Sequence, residues 1–393
     1  MINNWEVKRL GKVCELINRG VSPKYIESDG LCVLNQKCIR NHRINYDSAR
    51  FHDNKAKSVS NEKLIQIGDV LVNSTGTGTL GRVAQVRENP NTATVDSHVT
   101  IVRPLKNLFY NDFFGYALVF IEDEIAKKGE GCGGQTELSR DTLKNNFKIA
   151  YPKSLPEQQR IVSILDESFA AIDKAKENAE KNMQNARELF NSYLQSIFAN
   201  MGDGCEEKKL GEVCGLISGQ HIDSKNYNTQ FKGIGYLTGP SDFGSLHPIV
   251  SKWTEFPKVT ANKGDILITV KGSGIGKINL LDIEEVIISR QLMAIRTKKT
   301  ETTFIYAFLI LQYNFFQSLS NGAAIPGLSR KDVLNLKCPI PPISEQKSIV
   351  AKIDAFTVEA KKLETIYQQK LVALDELKKS VLQKAFNGGL AGA

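Results

Sequence analysis

The sequence predicts an α+β protein laid out as a tandem repeat, in which two globular heads of mixed helix and strand each run into one long helix. Three observations carry that prediction. The stretch Leu155-Pro156-Glu157-Gln158-Gln159-Arg160-Ile161 returns as Ile343-Ser344-Glu345-Gln346-Lys347-Ser348-Ile349. After each copy the chain runs free of Pro and Gly through a heptad-like apolar pattern, as far as Gly202 and Gly388. Ahead of each copy the same anchors recur in the same order: Leu10-Gly11-Lys12-Val13-Cys14 and Leu210-Gly211-Glu212-Val213-Cys214, Gly68-Asp69 and Gly264-Asp265, Leu138-Ser139-Arg140 and Leu328-Ser329-Arg330. Self-similarity of this kind marks a duplicated unit, and missing it would misread every element.

Each head opens on its Leu-Gly anchor. Residues 70–72, 82–86 and 98–102 are short apolar runs between turn residues and read as strands, as do 266–270 and 292–295 in the second head. Residues 109–125 and 304–319 have helical length and periodicity. Ser154 followed by Pro156 and Glu157 fits a capping box at the entry to the first long helix, and Ser344 is the expected cap of the second. Gly202 and Gly388 are the expected stops. Apolar residues at four-three spacing, Ile161, Leu165 and Ile172 in the first helix and Ile349, Ile353, Phe356 and Leu363 in the second, form the expected pairing seam. A helix of about 40 to 44 residues is roughly 60 to 66 Å long, too long to be buried in one compact domain, so each reads as a spacer. The expected divisions are heads at 1–153 and 203–343 and helices at 154–202 and 344–393.

Between the anchors the two halves diverge: residues 20–63 and 219–258 occupy equivalent positions and share almost no sequence. One frame with two different inserts points to two binding heads of one architecture and two specificities. Charge supports a polyanion as their target. The chain carries a net +8, and the excess sits in the heads, with 22 basic against 17 acidic residues up to Lys153 and 16 against 12 from Glu206 to Ile343.

Several classes of function are disfavoured. No long apolar run marks a membrane span and no leader is evident, so the expected location is the cytoplasm. Seven cysteines lack any CxxC spacing and are expected to be reduced thiols, with no metal site. The five histidines are scattered, and neither a serine elbow nor an adenine-methyltransferase Asn/Asp-Pro-Pro-aromatic loop is present, so no catalytic residue is expected. Gly76-Thr77-Gly78-Thr79-Leu80-Gly81 matches a dinucleotide fingerprint, but a strand-like segment follows where a helix is required. Gly272 to Lys277 lacks both the first Walker glycine and the Mg²⁺-binding hydroxyl. Both read as tight turns between strands.

Those turns are nonetheless candidates for DNA contact, because glycine lets a backbone approach phosphates closely. Ser74, Thr75, Thr77 and Arg82 are the candidates around the first, and Lys271, Ser273 and Lys277 around the second. In the first insert Lys37, Arg40 and Arg43 lead a basic cluster suited to phosphates and base edges, and in the second Tyr236 and Thr238 are the candidates.

Taken together, the duplicated Gly-Asp, Leu-Ser and Pro/Ser-Glu-Gln signatures, two variable heads and two matched helices resemble the specificity subunit of type I restriction-modification systems. The resemblance covers essentially the whole chain, with Ser344 departing from the Pro156 of the first copy. It implies two target-recognition domains, each reading one half of an asymmetric bipartite site on double-stranded DNA. It also implies an antiparallel coiled coil of the two helices with quasi-twofold symmetry, which sets the half-site spacing and docks two modification subunits. S-adenosylmethionine would belong to those subunits, ATP and Mg to restriction subunits, and no cofactor to this chain. A coiled-coil protein-interaction adaptor without DNA specificity is the competing reading.

Overall fold

The runs expected as strands pair into one antiparallel sheet in each half. In a computed structural model, which describes residues 4–88, 92–132, 135–202, 204–272, 274–320 and 327–390, Cys14–Arg19, Val99–Pro104, Val70–Asn73 and Val83–Gln85 lie side by side in that order. Cys214–Ser218, Leu292–Thr297, Ile266–Thr269 and Ile278–Leu280 repeat the order and directions. The chain forms two compact units, Met1–Asn178 with Lys370–Ala393, and Ala179–Gln369. The boundary between them falls within both long helices, Leu155–Ala199 and Ile343–Phe386.

Period-two alternation explains why the central strands read as unbroken apolar runs. Val70 and Val72 pack against the helices of the first head, among Phe113, Phe114 and Leu118. Leu71, between them, faces a second core with Leu34, Ile39 and Val95. Ile266 and Ile268 against Leu267 repeat the division.

That second core lies where the insert meets the frame, and here the structure adds what the sequence did not suggest. In each head the dissimilar insert joins strands from outside it in a mixed four-stranded sheet. Ala93–Val95 runs parallel to Leu31–Leu34 in one head, and Glu285–Ile288 runs parallel to Ile234–Leu237 in the other. The helices expected over 109–125 and 304–319 are each broken once. Asn111–Phe120 stops at Ile121 before Glu122–Lys127, and Thr302–Leu311 stops at Gln312 before Tyr313–Ser320.

Every duplicated signature serves the frame. Asp69 accepts the Gln66 amide at 2.8 Å and binds Arg103 through both carboxylate oxygens; Asp265 does the same with the Asn262 amide and Arg296. Ser139 and Ser329 cap short helices, and the following Arg140 and Arg330 reach back to Asn18 and to Ser218 and the Leu216 carbonyl. The buried Gln158 accepts the Tyr110 amide and donates to the carbonyls of Leu108 and Pro152, which ties the start of the central helix to the head before it. Gln346 accepts the Glu301 amide and donates to the Pro341 carbonyl. Gln158→Leu strands buried backbone groups and is expected to cost about 1–3 kcal/mol, read from urea unfolding of the full chain. An unchanged midpoint would remove this role.

Helix ends are held in the same paired manner. In the first unit Ile161 and Leu165 share a core with Phe386, whose ring lies 5.2 Å from those of Phe113 and Phe120. In the second, Ile349 and Ile353 share a core with Phe198, which meets Phe304 at 5.2 Å and Phe308 at 5.6 Å. Each unit therefore grips the start of one long helix and the end of the other.

The two helices run antiparallel within each unit. Asp173 pairs with Lys378 at 2.8 Å and Lys176 with Asp375, and in the second unit Arg187 pairs with Glu364 at 2.6 Å while Tyr193 stacks on Phe356 at 4.5 Å. Ile172 is buried beside the first pairs and Phe356 half-buried. Leu363 departs from the expected seam at 41% exposed, because the second helix keeps its heptad less strictly. Ser344 is not the cap of that helix. The helix begins at Ile343, and the Pro342 carbonyl accepts the amides of Glu345 and Gln346. At the other entry Ser154 accepts the Glu157 amide at 3.5 Å, but Glu157 itself turns to Arg160, so the box is half-formed. Gly388 closes the second helix at φ 76°, as glycine permits.

Candidate nucleic-acid interface

In each head the insert is seated on the glycine-rich turn of the duplicated frame. The first turn follows strand Val70–Asn73 with left-handed glycines at 76, 78 and 81. A Cβ on Gly81 would fall 2.7 Å from the Ala126 backbone, so only glycine lets the turn close on the helix beneath it. The insert's short 3-10 turn Gln36–Cys38 lies across this turn. Thr79 donates to the Gln36 side chain at 3.1 Å, the Gln36 amide donates to the Thr75 hydroxyl, and Asn73 donates to the Gln36 carbonyl at 3.2 Å.

This seating brings exposed Lys37 and Thr77 to one rim with the half-buried Arg82, whose guanidinium folds back onto the Gly78 carbonyl at 2.7 Å. Ser74 and Thr75, expected as polar tips, are interior instead. The Ser74 hydroxyl meets Thr100 and the Val72 carbonyl, and Thr75 meets His98 at 2.8 Å. Small hydroxyl residues at a turn are as able to pin strands as to meet a ligand, and the turn itself starts only at Gly76.

Arg40 and Arg43 stand on a separate ribbon. Ile39–Arg40 pairs with Arg43–Ile44 around Asn41 and His42, both left-handed at φ 52° and 58°, the geometry of a two-residue hairpin turn. The ribbon packs beside Val83–Gln85, and His42 is held by Glu122. Both arginines are exposed, and Arg43 borders a cavity of about 490 Å³ with Tyr46 and Arg87.

The second head repeats the seating with different residues. Pro240–Asp242 forms the insert's 3-10 turn, and a Cβ on Gly274 would fall 2.6 Å from Pro240. Exposed Lys271 and Lys277 flank the turn; Ser273 lies outside the described residues. Tyr236 is a core residue whose hydroxyl accepts the Ile222 amide, so it is not available to read bases. Burial pushes its phenol above the ordinary range. Thr238 is half-buried and pinned, donating to Asp242 at 2.8 Å. The seating residues Gln36 and Pro240 were missed, since nothing in their local sequence marks a contact with a turn so far along the chain.

Chemically the rims offer cations, hydroxyls and close backbone approach, which is the equipment of phosphate contact. Among the described residues no group of three or more His, Cys, Asp and Glu is placed to hold a metal ion, and no helix is long and apolar enough to cross a membrane. Cys14, Cys32, Cys38, Cys205, Cys214 and Cys338 are free thiols, and burial pushes that of Cys214 up to about 12.

A family model described as the type I restriction modification DNA specificity domain matches residues 2–181 and 202–371. The putative type I restriction enzyme MjaX specificity subunit of Methanocaldococcus jannaschii is 27% identical over 377 residues, spanning 90% of this chain and 86% of that protein. A solved structure described as the basis of complex assembly and conformational transition of the type I R-M system matches 98% of both chains with a TM-score of 0.79 at 23% identity. The HsdS subunit from Thermoanaerobacter tengcongensis matches 98% of this chain and 97% of its own with a TM-score of 0.57 at 24% identity. Both structures share its fold.

Proposed function

Because the chain belongs to the type I restriction modification DNA specificity family, we propose that it is the non-catalytic DNA-reading subunit of a type I restriction-modification complex. Each head reads one half of an asymmetric bipartite site on double-stranded DNA. The observation that carries this reading is the seating of two unrelated inserts on two equivalent glycine turns, each with exposed cations at its rim. A duplicated frame provides two equivalent docking positions, and different inserts make the two half-sites different.

The long helices set the distance between half-sites and dock two modification subunits. Those subunits bring S-adenosylmethionine and methylate adenine N6, restriction subunits bring ATP and Mg, and this chain binds no cofactor. Lys37, Arg40, Arg43, Thr77 and Arg82 in the first head, and Lys271 and Lys277 in the second, are the proposed phosphate and base contacts. Binding through such residues releases counterions and falls steeply with salt.

Co-expression with its modification subunit and mapping of N6-methyladenine tests the assignment. A bipartite asymmetric motif that requires this chain is expected. Exchanging residues 1–153 for the head of another family member is expected to change one half-site and leave the other intact. Loss of both would refute independent heads, and stable co-purification without methylation would favour the adaptor.

A further inference from the structure

Phe231 stands 76% exposed on left-handed backbone, at φ 61°. A bulky side chain rarely adopts that conformation, and residues held in it cluster where structure serves recognition. The loop that imposes it is built from within. The Asn228 side chain accepts the amides of Gln230 and Lys232 and donates to the carbonyls of Lys232 and Trp253. Gly233 follows at φ 92°, where a Cβ would fall 2.1 Å from the Thr254 carbonyl oxygen. Phe231 thus projects from a loop closed by four hydrogen bonds of the Asn228 side chain, its ring 4.2 Å from that of Trp253 and inclined to it by 41°.

The surroundings select the class of ligand. Lys225 and Lys232 are exposed in the same insert and Lys252 is half-buried, set over the Tyr227 ring; the surface carboxylates of this segment are Asp223 and Glu255. A planar apolar ring backed by a second aromatic and flanked by cations matches the flat face of a nucleobase between phosphates. An aliphatic protein surface would leave those ammonium groups without anions. We propose that Phe231 is a wedge that stacks on, and partly separates, one base step within the half-site of the second head, so that this head reads the deformability of that step. The proposal rests on the DNA-reading function above. Pyrimidine–purine steps, which unstack most readily, are the expected targets.

The test uses the full chain in complex with its modification subunits, methylation mapping, and duplexes carrying 2-aminopurine at successive positions of the mapped second half-site. The wild-type complex is expected to raise 2-aminopurine fluorescence at one step besides the adenine that is methylated, which the modification subunit itself takes out of the stack. Phe231→Asn relieves the backbone strain, so its Tm is expected to be unchanged or higher. Its fluorescence rise is nonetheless expected to vanish, with methylation at least tenfold weaker or degenerate at that step and the first half-site unchanged. Phe231→Trp is expected to keep both. Retention of the motif and the fluorescence rise by Phe231→Asn would overturn the proposal, as would loss confined to co-purification of the modification subunits, which would make Phe231 a protein contact. A wild-type complex that writes no bipartite mark would overturn the DNA reading itself, and the wedge with it.

Discussion

Replacing Arg103 by methionine is expected to cost about 3–5 kcal/mol of folding stability, and replacing Arg296 by methionine markedly less. The two arginines occupy equivalent positions and hold equivalent carboxylates through paired contacts of 2.7 to 2.8 Å. Their surroundings differ. The Arg103 side chain is 9% exposed and also donates to the Leu64 carbonyl, whereas that of Arg296 is 44% exposed. Water can therefore take over the role of Arg296 but not that of Arg103. Burial already pushes the Asp69 carboxyl above its ordinary range, with Arg103 pulling against it. Without the guanidinium the folded carboxyl holds its proton more tightly than the unfolded one, so the variant regains stability as pH falls. Urea unfolding at pH 7.5 and pH 5 measures both effects. Equal losses at the two sites, or a deficit that grows toward pH 5, would refute this account of the Gly-Asp anchor.

That anchor illustrates which parts of the fold were legible. Duplication exposed the frame, because a residue such as Asp69 or Gln158 has the same geometric task in both copies and so recurs at the same place. Sequence alone could find these residues without saying what they do, since their partners, Arg103 for one and the Tyr110 amide for the other, lie far along the chain. The inserts were illegible for a different reason. Their strands run to as few as two residues, too short for a period to register, and the parallel partner of Leu31–Leu34 is Ala93–Val95, far along the chain and outside the insert. Tyr236 shows the same limit at the candidate interface. A tyrosine in a variable segment suggests an aromatic contact, yet its strand places it inward and its hydroxyl is satisfied by a backbone amide. The breaks at Ile121 and Gln312 were hidden because those helices are apolar on most faces, which leaves little modulation for a kink to interrupt.

On the proposed function, recognition resides in what the two copies do not share and spacing in what they do. Removing one heptad from each long helix, between the Lys176–Asp375 and Arg187–Glu364 pairs, is expected to bring the two half-sites about three base pairs closer. Seven residues at 1.5 Å each shorten a helix by about 10 Å, and a base pair rises about 3.4 Å. Because the seam repeats every seven residues, the flanking ion pairs and the buried Ala179 and Ala186 class of positions can re-form after the deletion. A four-residue deletion shortens the helix by about 6 Å but also rotates the seam by about 40°, so it is expected to weaken the helix pair before it resets the spacing. Methylation mapping distinguishes these cases. A ruler made of the two helices requires the heptad variant to retain both half-site sequences and change only the unread bases between them. Retained methylation at the original spacing would mean that the distance is set elsewhere, by the modification subunits or by the DNA itself.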